Sequence, residues 1–172
     1  DKSMNLLPAS SYERQLSDFR LTYSKAGSVT SMLLVLAGAA LDYYSYPDLM
    51  GAFFMLRFGV AILTALILAV LYTQFGRDKV RALTMVWLSL PQVMIAFMIY
   101  QTEGVGSIYF VGLHLAMYAV GIILPISLME GVGFGVLTMI LYLAACLLHR
   151  DGIGDGARMY TNFLFILFSA TA

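Results

Sequence analysis

The sequence predicts an all-α membrane protein: a six-transmembrane helix bundle with an N-terminal amphipathic cytoplasmic helix and both termini cytoplasmic. Three observations predict it. The chain is 60% hydrophobic and only 12% charged, where soluble domains carry about 25% charged residues, and its mean hydropathy is +0.84. The apolar residues gather into runs of about twenty, long enough to cross a bilayer as helices. Lysine and arginine fall mostly in alternate loops, which sets an orientation.

The same numbers exclude several classes. A net charge of zero leaves no global basic field for a nucleic-acid partner. Cys146 is the single cysteine, so neither a disulfide framework nor a multi-cysteine metal site can form within one chain. No lysine lies inside an apolar run, which excludes a retinal Schiff base. A haem held by two intramembrane histidines would find only His114. No cofactor is expected.

Residues 1–3 read as the remnant of a tag, with Met4 as a native start. Residues 4–25 form the cytoplasmic segment. Ser10 followed by Glu13 is a capping-box signature, and Tyr12, Leu16, Phe19 and Tyr23 recur at helical spacing among Arg14, Asp18 and Arg20. The pattern fits an amphipathic helix on the inner membrane surface, and equally a polar lead-in to the first span. Residues 26–172 then hold six segments, at 27–46, 51–74, 82–101, 107–129, 131–148 and 158 to beyond 172. The apolar run from Met159 is shorter than the roughly 17–25 residues a span requires, so the sixth segment is expected to continue past Ala172.

Short loops make sequence neighbours antiparallel neighbours in space. Arg14, Arg20, Lys25, Arg77, Lys79 and Arg81 fall on one side, against Arg150 and Arg158 on the other. That asymmetry places the N-terminus in the cytoplasm, with a bacterial inner membrane as the location. Pro91 and Pro125 lie within segments three and four, where each frees a backbone carbonyl. Gly131, Gly133 and Gly135 open segment five and would admit a close helix.

Arg57, inside segment two, needs a partner or water to sit at membrane depth. Asp42, across the turn at the end of segment one, is the obvious partner. At 1.5 Å per residue, His114 on segment four and Asn162 on segment six reach comparable depth, and Gln92 lies near the middle of segment three. Tyr100, Tyr109 and Tyr118 fall in the same outer half or at its edge. These residues suggest a binding pocket open to the outside. Equally, Asp42–Arg57 could be a structural clasp, His114 an interhelical hydrogen bond, and the tyrosines an interface belt. Two motif-like stretches carry no site: His149-Arg150-Asp151 stands without other kinase motifs, and the loop 151–156 lacks the glutamate of a calcium loop. No nucleophile–base pair indicates catalysis within the chain.

An arginine early in the second span (Leu56-Arg57-Phe58-Gly59) and a polar-aromatic start to the sixth (Tyr160-Thr161-Asn162-Phe163-Leu164) follow a basic cytoplasmic segment. In this the chain resembles the six-span N-terminal input domains of bacterial membrane-bound histidine kinases and of adenylate and diguanylate cyclases. The resemblance covers most of residues 12–172. It implies a sensor of a small hydrophobic ligand or of membrane state, relayed through segment six to a cytoplasmic kinase or cyclase domain, and a homodimer. Small residues Gly38, Ala39 and Ala40 would suit a dimer contact. Membrane lipid is the other expected partner. A small transporter or channel is the alternative reading, opposed by the absence of a repeat and by apolar inner halves; a bilayer-embedded enzyme comes third.

Overall fold

Every element of the structure, a computed structural model, is helical among the residues it describes: 9–124, 126–149 and 154–171. Helix α1 (Ala9–Ala37) runs through a turn at Gly38 into α2 (Ala39–Ser45). A 3-10 turn, Pro47–Leu49, leads to α3 (Met50–Leu71), and the short α4 (Gln74–Asp78) leads to α5 (Val80–Gln101). A second 3-10 turn, Gly104–Gly106, precedes α6 (Phe110–Ile123), and α7 (Leu128–Leu148) and α8 (Gly156–Thr171) follow.

From Ala9 onward the amphipathic segment and the first span are one continuous helix, with no break near residue 25. Nothing between Phe19 and Gly27 breaks the helical pattern, so the backbone has no reason to stop. The side chains of Ser10 and Glu13, the expected capping box, lie outside the described residues.

Among the described residues, four helical stretches are long and apolar enough to cross a membrane: Gln15–Ser45, Pro47–Leu71, Val80–Gln101 and Leu128–Leu148. Phe110–Ile122 is apolar but shorter. The 14 residues of α6 rise only about 21 Å, against a hydrocarbon core of about 30 Å. The expected segment four, 107–129, is thus cut short. Leu124 turns extended, with ψ 133°, as a residue before proline does. Ser127 then caps a new helix, accepting from the Glu130 amide while the Glu130 carboxylate accepts from the Ser127 amide. That reciprocal box fixes the start of α7 at Leu128 rather than at Gly131. Pro125 itself lies outside the described residues.

The core follows from the spacing of the buried stripes. On α3 the residues Phe53, Arg57, Val60 and Thr64 recur every three or four positions and are all buried, so one face turns inward. Helix α5 is central, packing against α1, α3, α6 and α7. Trp87 lies against Gly27 of α1, where an added Cβ would come within 3.1 Å of the indole. The indole N–H donates to Ser24 Oγ at 3.0 Å, and Thr84 Oγ1 lies 2.8 Å from the same oxygen. Of the three glycines opening segment five, Gly135 admits close approach, its Cα facing Ala170 of α8.

Candidate functional site

Arg57 reaches across from α3 to the turn between α1 and α2. Its Nε and Nη2 donate to the two carboxylate oxygens of Asp42, both at 2.7 Å, and Nη1 donates to the Val35 carbonyl at 3.1 Å. The Tyr109 hydroxyl donates to Asp42 Oδ1 at 2.7 Å. Asp42 is 0% exposed, Tyr109 3% and Arg57 5%. A two-pronged pair of this kind is the geometry in which an arginine and a carboxylate tolerate burial together. Gly38 is what lets the arginine in: a Cβ there would collide with the guanidinium. The small residue serves the interior of the chain, so it lends no support to a dimer contact at that position.

Beside this clasp lies a cleft of about 460 Å³. Helices α1 and α6 both pack on α5 but barely touch each other, and the space between them stays open. Leu34 and Val35 of α1, Leu88 and Ile95 of α5, and Leu115 and Ala119 of α6 line it. Arg57, Gly38 and Tyr109 stand at one end; Gly27, Leu124 and Phe134 stand at the other. Pro91 is on its floor, and because proline has no N–H, the carbonyl of Trp87, also a lining residue, loses its helical donor. A second groove, of about 590 Å³ between α3 and α5, is lined by Leu56, Val60, Leu63, Val93 and Phe97 and has Ser89 as its one hydroxyl.

The expected outer pocket gathers these residues only in part. Asp42, Arg57 and Tyr109 meet in the clasp. His114 and Asn162 belong to a different set, on the far side of α6. His114 Nδ1 is 2.8 Å from Ser169 Oγ of α8, with its ring edge-on between Phe110 and Phe165. Asn162 Nδ2 donates to the Tyr142 hydroxyl of α7 at 2.9 Å and to the Val105 carbonyl at 3.3 Å. Gln92 is 0% exposed, and neither its amide nitrogen nor its oxygen has a hydrogen-bond partner among the described residues. Neither His114, Asn162 nor Gln92 lines the cleft. Tyr118 is 47% exposed and Tyr100 38%; both turn outward, and the Tyr100 carbonyl meets His149 Nδ1 at 2.8 Å.

Two partners escaped the sequence. Tyr142 is fully buried within the apolar run of α7. Ser169 sits in a run of phenylalanines. Neither spacing nor composition marks a residue chosen by a neighbouring helix. The cleft likewise left no motif, because gaps between helices are set by packing.

At the opposite end of the bundle, Glu130 collects Arg81 and Arg20: it accepts from Arg81 Nε, and Arg20 Nη2 stands 3.6 Å away. Arg81 also donates to Ser127 Oγ at 3.3 Å. Lys25 lies 3.9 Å above the Tyr72 ring on the same end, a cation–π contact. Among the described residues no group of three or more histidine, cysteine, aspartate or glutamate side chains could hold a metal.

Comparison with known proteins returns no matching family model, no matching curated protein and no matching solved structure.

Proposed function

We propose that this chain is a membrane-embedded receptor module that binds a small apolar ligand and answers by shifting its helices. The observation that carries the reading is the cleft: about 460 Å³, within the 300–1,000 Å³ of ordinary small-molecule sites, apolar along its walls and polar at one end. A ligand wedged between α1 and α6 favours the arrangement in which they stand apart. It acts only through its better fit to that arrangement. Helix α6 is tied to α8 through His114 and Ser169, so α8 carries the shift onward. By the resemblance to bacterial six-span input domains, the receiver is a cytoplasmic histidine kinase or nucleotide cyclase, and the working unit is a dimer in the inner membrane. The cluster of Arg20, Lys25, Arg77, Lys79 and Arg81 supports a cytoplasmic N-terminal side.

The test is to purify the protein, extract bound lipophilic molecules and identify them by mass spectrometry. Ala116→Trp and Ala119→Trp fill the cleft, and His114→Ala alters the polar set outside it. The expected result is one defined small molecule in the wild type and in His114→Ala, lost from both tryptophan variants. The same ordinary lipids in all four proteins would sink the reading.

A further inference from the structure

The polar end of the cleft has a definite hydrogen-bonding character. A guanidinium carries five N–H donors. Three are engaged by the Asp42 carboxylate and the Val35 carbonyl, which leaves two. The guanidinium lies against Gly38, itself a lining residue, and Arg57 lines the cleft too. The Tyr109 hydroxyl spends its proton on Asp42, so its oxygen keeps lone pairs to accept with. Arg57 and Tyr109 both line that end of the cleft, so its lining residues carry uncommitted donors and an acceptor. Its net charge is zero, because one carboxylate already answers one guanidinium.

Shape adds a second constraint. On α1 the cleft extends from Gly27 at one end to Gly38 at the other, eleven residues apart, or about 17 Å. It is long, and along that length its walls are almost wholly aliphatic or aromatic, with Thr30 and Ser31 of α1 the exceptions; the Thr30 hydroxyl is turned back onto the Ala26 carbonyl.

We propose that the cleft takes an uncharged single-chain amphiphile, with a hydroxyl or primary amide head at Arg57 and Tyr109 and its tail directed toward Leu124 and Phe134. This rests on the cleft being a ligand site, and adds the chemistry of the ligand. A carboxylate or phosphate head would place a second anion beside Asp42 with a single arginine between them, leaving one buried charge uncompensated, which is costly at low dielectric. A hydroxyl or amide adds no charge and satisfies both sides of the wall. A phospholipid headgroup would bring its phosphate anion to the same wall and meet the same penalty.

The test is displacement of a fluorescent naphthylamine probe from the purified protein in lipid nanodiscs. The competitors are dodecanol, dodecanamide, dodecane and dodecane sulfonate, which is charged at every working pH, all kept below micelle-forming concentrations. Dodecanol and dodecanamide should displace the probe at concentrations at least about tenfold below the sulfonate and below dodecane, a difference of about 1.4 kcal/mol. In Asp42→Leu/Arg57→Met, which removes the pair without leaving either partner alone, the probe should still bind while the advantage of the alcohol over dodecane disappears. Tyr109→Phe, which keeps the ion pair, should reduce that advantage and serves where the double variant does not fold. A sulfonate that competes as well as the alcohol overturns the proposal while leaving the cleft a ligand site. So does an alcohol advantage that persists in Asp42→Leu/Arg57→Met or is undiminished in Tyr109→Phe. Failure of the probe to bind the wild type at all overturns this inference and the receptor reading together.

Discussion

The Asp42–Arg57 pair and the Glu130 cluster use the same chemistry at opposite ends of the bundle, and water separates them. Both partners of the first are nearly sealed, with side chains 1% and 6% exposed. In the second, Arg81 is 63% exposed while Glu130 is 9%. A sealed pair depends on every group being matched, since an ion left alone in the interior has no solvent to fall back on. An exposed arginine loses little when released, because water replaces its partner. The first end is therefore a fixed joint between α2, α3 and the start of α6, and the second is a partly solvated tie among α1, α5 and α7.

This contrast can be broken most sharply at Asp42. Asp42→Ala strands Arg57 and should destabilise the folded protein by about 3–5 kcal/mol, read as the unfolding midpoint in mixed detergent micelles. Asp42→Leu/Arg57→Met should recover most of that loss, since it removes both charges. A double variant as unstable as the single one would mean that packing, not charge, holds the joint. Tyr109→Phe keeps the pair but takes one donor from the Asp42 carboxylate, for an expected cost of about 1–3 kcal/mol by the same measurement.

At the other end the expected effects shrink. Glu130→Gln weakens the attraction to Arg20 and Arg81 but leaves an amide able to complete part of the capping box, so its cost should be about 1 kcal/mol. Arg81→Ala should change stability by no more than about 0.5 kcal/mol, and that change should fade as salt rises. An Arg81→Ala effect as large as that of Asp42→Ala would erase the distinction between the two ends.

Gln92 belongs to neither cluster. Its amide is buried with no partner for nitrogen or oxygen among the described residues. Buried polar groups are ordinarily matched, and the packing offers no account of this one.

Much of the fold was legible in the chain because the period of apolar residues and the turn chemistry are local. The runs behind α3 and α5 gave their helices within a few residues, and Arg57 with Asp42 stood out as a pair because an isolated charge among apolar residues demands a match. The boundary between α6 and α7 was misplaced although its signal was present: Ser127 and Glu130 carry the spacing of a capping box, but the apolar run around them reads straight through. Depth was read by the same local counting, but the contacts stagger these residues: His114 meets Ser169, seven residues or about 10 Å along α8 from Asn162. Which face each turns also divides them, Arg57 toward Asp42 and the cleft, His114 toward α8, and Asn162 toward α7.

By itself, then, the sequence determined an all-helical chain rich in apolar helices, the order of those helices, and the need for Arg57 to be neutralised. Those properties follow from composition, periodicity and the cost of an unpaired charge, which are carried by residues near one another in the chain. Tertiary structure alone decided that Gly38 makes room for the guanidinium, that Tyr109 completes the Asp42 site, and that α1 and α6 leave a cleft over α5. Each depends on which faces of distant helices meet, and that is fixed by the packing of all of them at once.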